Sequence, residues 1–129
     1  MKKIEIMLID DEPDLLEIMG SVIRGWGYDL AIAGGGKEAV EMFKAKRPDI
    51  IVLDYLMPEM DGIATLKEIR KLDKKIPVIM FTAYPDKIIK GTENLGISAL
   101  IPKLSTYSDV SASLKSTIDM IIKNISKKE

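Results

Sequence analysis

Residues 50–62 read Ile50-Ile51-Val52-Leu53-Asp54-Tyr55-Leu56-Met57-Pro58-Glu59-Met60-Asp61-Gly62. A short run of four apolar, mostly β-branched residues opens the stretch, with Pro48-Asp49 before it and Pro58 after it. Bounded runs of this kind form buried strands. Asp54 stands at the C-terminal end of the run. Pro58 cannot continue a central strand, and Asp61-Gly62 turns the chain toward a helix. In open α/β sheets, ligands sit beyond the carboxyl ends of the strands. The segment therefore puts a carboxylate where chemistry is usually done.

The same two signals recur on either side. Upstream, Ile4-Glu5-Ile6-Met7-Leu8-Ile9 reads as a first strand that stops at Asp10-Asp11-Glu12. Pro13 suits the first turn of a helix, whose positive end favours Asp11 or Glu12. Leu15, Ile18, Met19, Val22, Ile23 and Trp26 give that helix one apolar face, and Gly25 and Gly27 close it. Residues 28–33 alternate and read as a second strand. Gly34-Gly35-Gly36 is a turn, and Ala39, Val40 and Phe43 mark a second helix. Downstream, Ile63, Leu66 and Ile69 mark a third helix ending near Asp73-Lys74-Lys75. Pro77 to Thr82 is a fourth buried strand, and a helix follows over about Asp86 to Leu95, with Gly91 inside it. Ser98 to Ile101 is a short fifth strand, then Pro102-Lys103. Val110, Leu114, Ile118, Ile121, Ile122 and Ile125 make the last helix amphipathic. Such alternation with short connections implies an α/β fold: a doubly wound parallel sheet of five strands with helices on both faces. Residues 1–123 read as the domain and 124–129 as a frayed tail.

The composition fits one domain of 129 residues, 47% hydrophobic and 30% charged. The net charge of −1 gives no electrostatic case for nucleic acid or an anionic membrane. With no cysteine and no histidine, thiol chemistry, histidine metal sites and a phosphohistidine of its own are excluded. No signal segment or run of transmembrane length is visible, so a cytoplasmic protein is expected.

Strand ends now carry Asp10-Asp11, Asp54, Thr82 and Lys103, and a parallel sheet puts all four ends on one edge. Each piece has a bland reading. The acid cluster could serve a helix N-terminus, Asp54 could be a cap, Thr82 could simply end a strand, and Lys103 could lie in solvent. Their joint placement is what those readings explain poorly. Carboxylates crowded into one crevice repel one another and want a cation. Oxygen ligands without His or Cys fit Mg²⁺. A cation and a carboxylate facing a lysine and a hydroxyl also describe phosphoryl transfer. Gly34-Gly35-Gly36-Lys37 lacks the spacing of a phosphate loop and reads as a turn.

These residues resemble the receiver domains of two-component response regulators, the CheY-like family. The resemblance rests on Asp10-Asp11, Asp54, Met57-Pro58-Glu59-Met60-Asp61-Gly62, Thr82-Ala83 and Lys103, and spans essentially the whole chain. It implies a flavodoxin-like sheet of order 2-1-3-4-5. It implies that Asp54 accepts a phosphoryl group from a phosphohistidine of a sensor histidine kinase or phosphotransfer protein. Asp11, Asp54 and the backbone carbonyl of Leu56 would ligate Mg²⁺, with Asp10 acting through a water. Thr82 and Lys103 would contact the phosphoryl oxygens. A downstream protein target is implied, with no direct contact to nucleic acid or membrane, and a monomer or weak dimer is expected. The chain departs from the family at Leu100, where an aromatic switch residue is usual, and at Leu104, where a proline is usual. A trans Lys103–Leu104 bond is expected, and Ile101–Pro102 is the only inexpensive place nearby for a cis bond, with trans as the default. The alternative reading is a degenerate receiver fold that serves as an interaction module without phosphorylation. An aspartate-nucleophile phosphatase is disfavoured because no D-x-D-x-[TV] motif surrounds Asp54.

Overall fold

The computed structural model describes residues 3–83, 92, 94–103 and 107–128, without the side chains of 107, 108 and 126–128. Its elements run β1 (Glu5–Ile9), α1 (Pro13–Gly25), β2 (Asp29–Ala33), α2 (Gly36–Ala45), β3 (Ile50–Asp54), α3 (Gly62–Leu72), β4 (Val78–Thr82), β5 (Ala99–Pro102) and α4 (Tyr107–Lys128). The helix expected over 86–95 falls mainly outside the described residues, as does Leu104. No described peptide bond is cis, Ile101–Pro102 included. Among the described residues no helix is long and apolar enough to cross a membrane.

The strands form one parallel sheet in the order β2-β1-β3-β4-β5. Period-two alternation divides their side chains between two cores. Ile6, Leu8, Ile50, Val52, Ile79, Phe81 and Ile101 meet Leu15, Met19 and Ile23 of α1 and Val110, Leu114 and Ile118 of α4. Met7, Ile9, Ile51, Leu53, Val78 and Met80 meet Ala39 and Phe43 of α2 and Leu66 and Ile69 of α3. Both faces of the central strands are covered, which is why β3 and β4 read as continuous apolar runs. The edge strand β5 accepts Pro102, paired in register with Thr82.

Two details differ from the sequence reading. Ile18 belongs to the apolar spacing of α1 but is exposed, because the helix buries only the stripe through Leu15, Met19 and Ile23. Trp26 is half-buried, its ring 5.9 Å from the ammonium of Lys115 on α4. The helix α4 runs to Lys128, and Ile121, Ile122 and Ile125 carry its apolar stripe.

One glycine fixes the approach of α3 to the sheet. Asp61 caps that helix by accepting the Ala64 N–H at 2.8 Å. Gly62 then donates its N–H to the Tyr55 carbonyl at 2.7 Å. A Cβ at Gly62 would collide with the Asp54 carbonyl oxygen and reach within 2.8 Å of Tyr55 Cα. Both obstacles are backbone and cannot swing aside. We expect Gly62→Ala to lower unfolding free energy by about 1–3 kcal/mol. Gly25→Ala, with nothing within 4 Å, should be neutral or stabilising by up to about 1 kcal/mol. Urea unfolding of the two variants checks the contrast, and equal effects would contradict it.

Candidate functional site

Register brings the polar strand ends to one place. Asp54 pairs in register with Phe81, and Phe81 with Ile101. Side chains in register share a face, so Asp54 lies on the α1/α4 side. Asp10 follows β1 with the same parity as Ile6 and Leu8, and Lys103 follows β5 with the parity of Ile101. The alternation that built the core thus aims these three charged groups at one point.

The Lys103 ammonium stands 3.0 Å from Asp10 Oδ2 and 3.1 Å from Asp54 Oδ1. Its Nζ also lies 3.7 Å from Glu12 Oε1 and 4.8 Å from the centroid of the Phe81 ring. The second oxygen of Asp10 accepts the Glu12 N–H at 2.9 Å. The Lys103 N–H donates to the Thr82 carbonyl at 2.7 Å, which fixes where the side chain starts. Asp10 and Asp54 are buried, at 0% and 3% exposure, while Asp11 is half-buried.

The electrostatics follow from that burial. Desolvation lifts the Asp54 carboxyl from an ordinary 3.8 to about 6, and the nearby Asp10 charge adds to the rise. Lys103 and the Tyr55 backbone hold it from going further. For Lys103, burial works against the ammonium, but Asp10 and Asp54 together outweigh it and raise its pKa. Asp10, Asp11 and Asp54 each offer an oxygen, and the three oxygens lie within 4.8 Å of one another. An all-oxygen set with negative charge in excess suits a hard divalent cation such as Mg²⁺.

The structure therefore brings Asp10, Asp11, Asp54 and Lys103 together. Thr82 is buried at the end of β4, in register with Pro102. The Leu56 side chain is exposed two residues beyond Asp54. Glu12 was expected at the helix N-terminus. It does occupy the N-cap position, but its side chain makes no cap bond and faces Lys103 instead. Neither that turn of Glu12 nor the ring of Phe81 beneath the ammonium has a local sequence signal. The Gly34–Gly35 segment is a turn before α2, and Gly34 N–H is taken by Glu38 Oε2 at 3.0 Å.

Asp54 gives the metal-free protein a defined pH response. The folded chain holds the Asp54 proton up to about 6, the ordinary value being 3.8. Between those values the folded state binds more protons than the unfolded one, so this group's contribution to stability falls as pH rises. We expect the melting temperature of Asp54→Asn minus that of the parent to grow across this window and to level off above it. Thermal melts in a chelator check this, and a difference independent of pH would contradict it.

A family model described as the response regulator receiver domain matches residues 6–115. Transcriptional regulatory protein ZraR of Escherichia coli O157:H7 is 44% identical over 81 residues, covering 63% of this chain and 18% of that protein. The probable transcriptional regulator ycf27 of Porphyridium aerugineum is 35% identical over 125 residues, covering 95% of this chain and 51% of that protein. The chain thus spans 18% to 51% of the length of these curated relatives. Among solved structures, the CheX-CheY-BeF3-Mg+2 complex from Borrelia burgdorferi contains a chain of like fold. That match has a TM-score of 0.81 and 26% identity, and covers 92% of this chain and 89% of the other. The matched span contains the strands, the three clustered aspartates and Lys103, and the chain belongs to the response regulator receiver domain family.

Proposed function

We propose that the domain is a phosphoacceptor in a two-component or phosphorelay system, taking a phosphoryl group on Asp54 in the presence of Mg²⁺. The observation that carries this reading is the convergence of Asp10, Asp11 and Asp54 oxygens with the Lys103 ammonium in one largely buried crevice. The donor is the phosphohistidine of a sensor histidine kinase or phosphotransfer protein. An Asp54 oxygen bonds to phosphorus as the P–N bond breaks, and the departing imidazole takes up a proton. Lys103 stays paired with the growing charge on the phosphoryl oxygens, and Thr82 donates its hydroxyl to one of them. Asp11, Asp54 and the Leu56 carbonyl would hold Mg²⁺, with Asp10 acting through a water. When bound, the ion supplies positive charge to the phosphoryl oxygens. In the return step a water attacks phosphorus, the acyl phosphate P–O bond breaks, and inorganic phosphate leaves the Asp54 carboxylate restored.

The output is a downstream protein, with the domain cytoplasmic and a monomer or weak dimer. The net charge of −1 supports no direct nucleic-acid contact by these residues. Relatives named as transcriptional regulators are longer than this chain. Leu100 packs half-buried beside the α2/α3 core and has no ring to rotate. Phosphorylation is therefore read out on this face by backbone movement between β4 and β5.

Two outcomes follow. Asp54→Ala should reduce labelling by a cognate kinase, or by a small phosphodonor with Mg²⁺, to background. Full labelling of that variant would defeat the assignment and leave the fold as an interaction module. Leu56→Asn should speed loss of the phosphoryl group several-fold, because the exposed apolar side chain near Asp54 neither orients nor admits an attacking water. Phosphate release from purified phosphoprotein measures this, and unchanged or slower decay would refute it.

A further inference from the structure

We propose that a cleft at the edge of the sheet opposite the aspartates binds a small amphipathic anion, a monocarboxylate carried on a short apolar body. The cleft measures about 550 Å³ and lies where β4 and β5 begin and the second half of α4 packs against them. That volume falls within the range of sites for small organic molecules. Its apolar lining comes from Pro77, just before β4, and from Met120, Ile121 and Ile125 of α4. Ile121 is buried, whereas Met120 is 55% exposed, and its flexible thioether chain can adapt to what meets it.

The polar part of the lining is Lys75, Ser98 and Asn124. All three can donate a hydrogen bond, and one carries a positive charge. Among the described residues no carboxylate lines the cleft, and these three side chains make no hydrogen bond or ion pair. The acid nearest in sequence, Asp73, is already engaged. Its carboxylate accepts the N–H groups of Lys75 at 2.8 Å and Ile76 at 3.0 Å, and it meets Arg47 at 3.4 Å. The Lys75 backbone is thus held by that turn while its ammonium is left for an anion from outside. The walls are formed in advance. Ser98 donates its N–H to the Val78 carbonyl at 2.8 Å, and the Pro77 carbonyl accepts the Ile51 N–H at 3.0 Å. A ligand therefore meets strand starts already ordered, which favours affinity. Along α4 the lining runs only from Met120 to Ile125, about 8 Å at the rise of a helix. That is too short for a docked amphipathic helix, whose anchors recur over i to i+7, and it suits a compact ligand.

Octanoate, titrated into the full chain and followed by the methyl NMR signals of Met120, Ile121 and Ile125, tests this. Octanol and octylammonium supply the same apolar body without the negative charge. Octanoate should give saturable shifts centred on those methyl groups and bind about three- to five-fold more tightly than octanol, the size of one exposed ion pair. Octylammonium should bind more weakly than either. Lys75→Met should bring octanoate down to the level of octanol and leave octanol unchanged. Met120→Glu, at an exposed position, should remove octanoate binding and favour octylammonium. Equal binding of the three probes, shifts that spread over the surface or fail to saturate, or a preference for octanoate that survives Lys75→Met would each overturn the proposal. The comparison of probes in the unmodified chain decides the matter even where a variant fails to fold. None of these residues belongs to the phosphoacceptor site, so labelling at Asp54 and binding at this cleft can fail independently.

Discussion

A single ammonium shared by two buried carboxylates sets the terms for the rest of this domain. A buried ion is penalised by several kcal/mol even after relaxation, and stripping a buried charge of its partner typically costs about 3–5 kcal/mol. Asp10 and Asp54 are both almost fully buried, and Lys103 answers them both. The balance is deliberately incomplete. One positive charge faces Asp10, Asp54 and Glu12, with Asp11 alongside. Desolvation and the Asp10 charge therefore still lift Asp54 to about 6. The central strand β3, its inner neighbour β1 and the edge strand β5 all end at this point. The residual negative charge is what makes the same point receptive to a cation.

The loop from Asp54 to Gly62 joins this electrostatic centre to the opposite core. Met57 is buried among the α2/α3 residues, while Leu56 next to it is exposed. Glu59 takes a left-handed backbone conformation, with φ of 66°, a strained choice for a residue with a side chain. Asp61 then caps α3, and its carbonyl accepts the buried Thr65 hydroxyl at 2.8 Å. Gly62 rests on the backbone of Asp54 and Tyr55. Any displacement of the Asp54 main chain is thus felt at once by α3. At the far end of that helix, Arg70 donates to the carbonyls of Leu95 at 2.6 Å and Gly96 at 3.0 Å, just before β5. The Asp54 backbone and the residues just before the edge strand thus both meet α3.

The features legible in the sequence were those that depend on local pattern. Period-two and period-3.6 spacing located every described element, and the strand-end residues followed from parallel topology. Asp10, Asp11, Asp54 and Lys103 meet as that geometry requires. The misses all depend on contacts between distant segments. Glu12 next to a proline at the head of α1 looks like a dipole acid, and only the arrival of Lys103 from β5 turns it aside. Ile18 fits the apolar period, but α1 buries only the stripe through Leu15, Met19 and Ile23. Phe81 looks like one more core residue; its face beneath an ammonium is a consequence of the β4–β5 register. Asp61-Gly62 announces a turn, yet the sequence does not reveal that a methyl group there would strike the Asp54 backbone.

The same contacts rank the carboxylates as nucleophiles. Asp10 is the most deeply buried, and both its oxygens are engaged, one by a backbone N–H and one by Lys103. An electron pair on either could attack only after losing its partner. Asp11 is half-exposed and follows β1 in the chain. Among the described residues the ammonium pairs with Asp10, Asp54 and Glu12 and not with Asp11, so a phosphoryl group placed on Asp11 would lack that lysine beside its oxygens. Asp54 combines the remaining properties. It ends the central strand, it is within reach of the ammonium, and burial raises its pKa to about 6. A more basic carboxylate, once ionised, donates its electron pair more readily. Burial therefore does two things at this residue. It lowers the fraction ionised below about pH 6, and it raises the basicity of the carboxylate that results. A cation beside Asp54 would oppose both effects, extending the ionised form to lower pH while drawing on the same electron pairs.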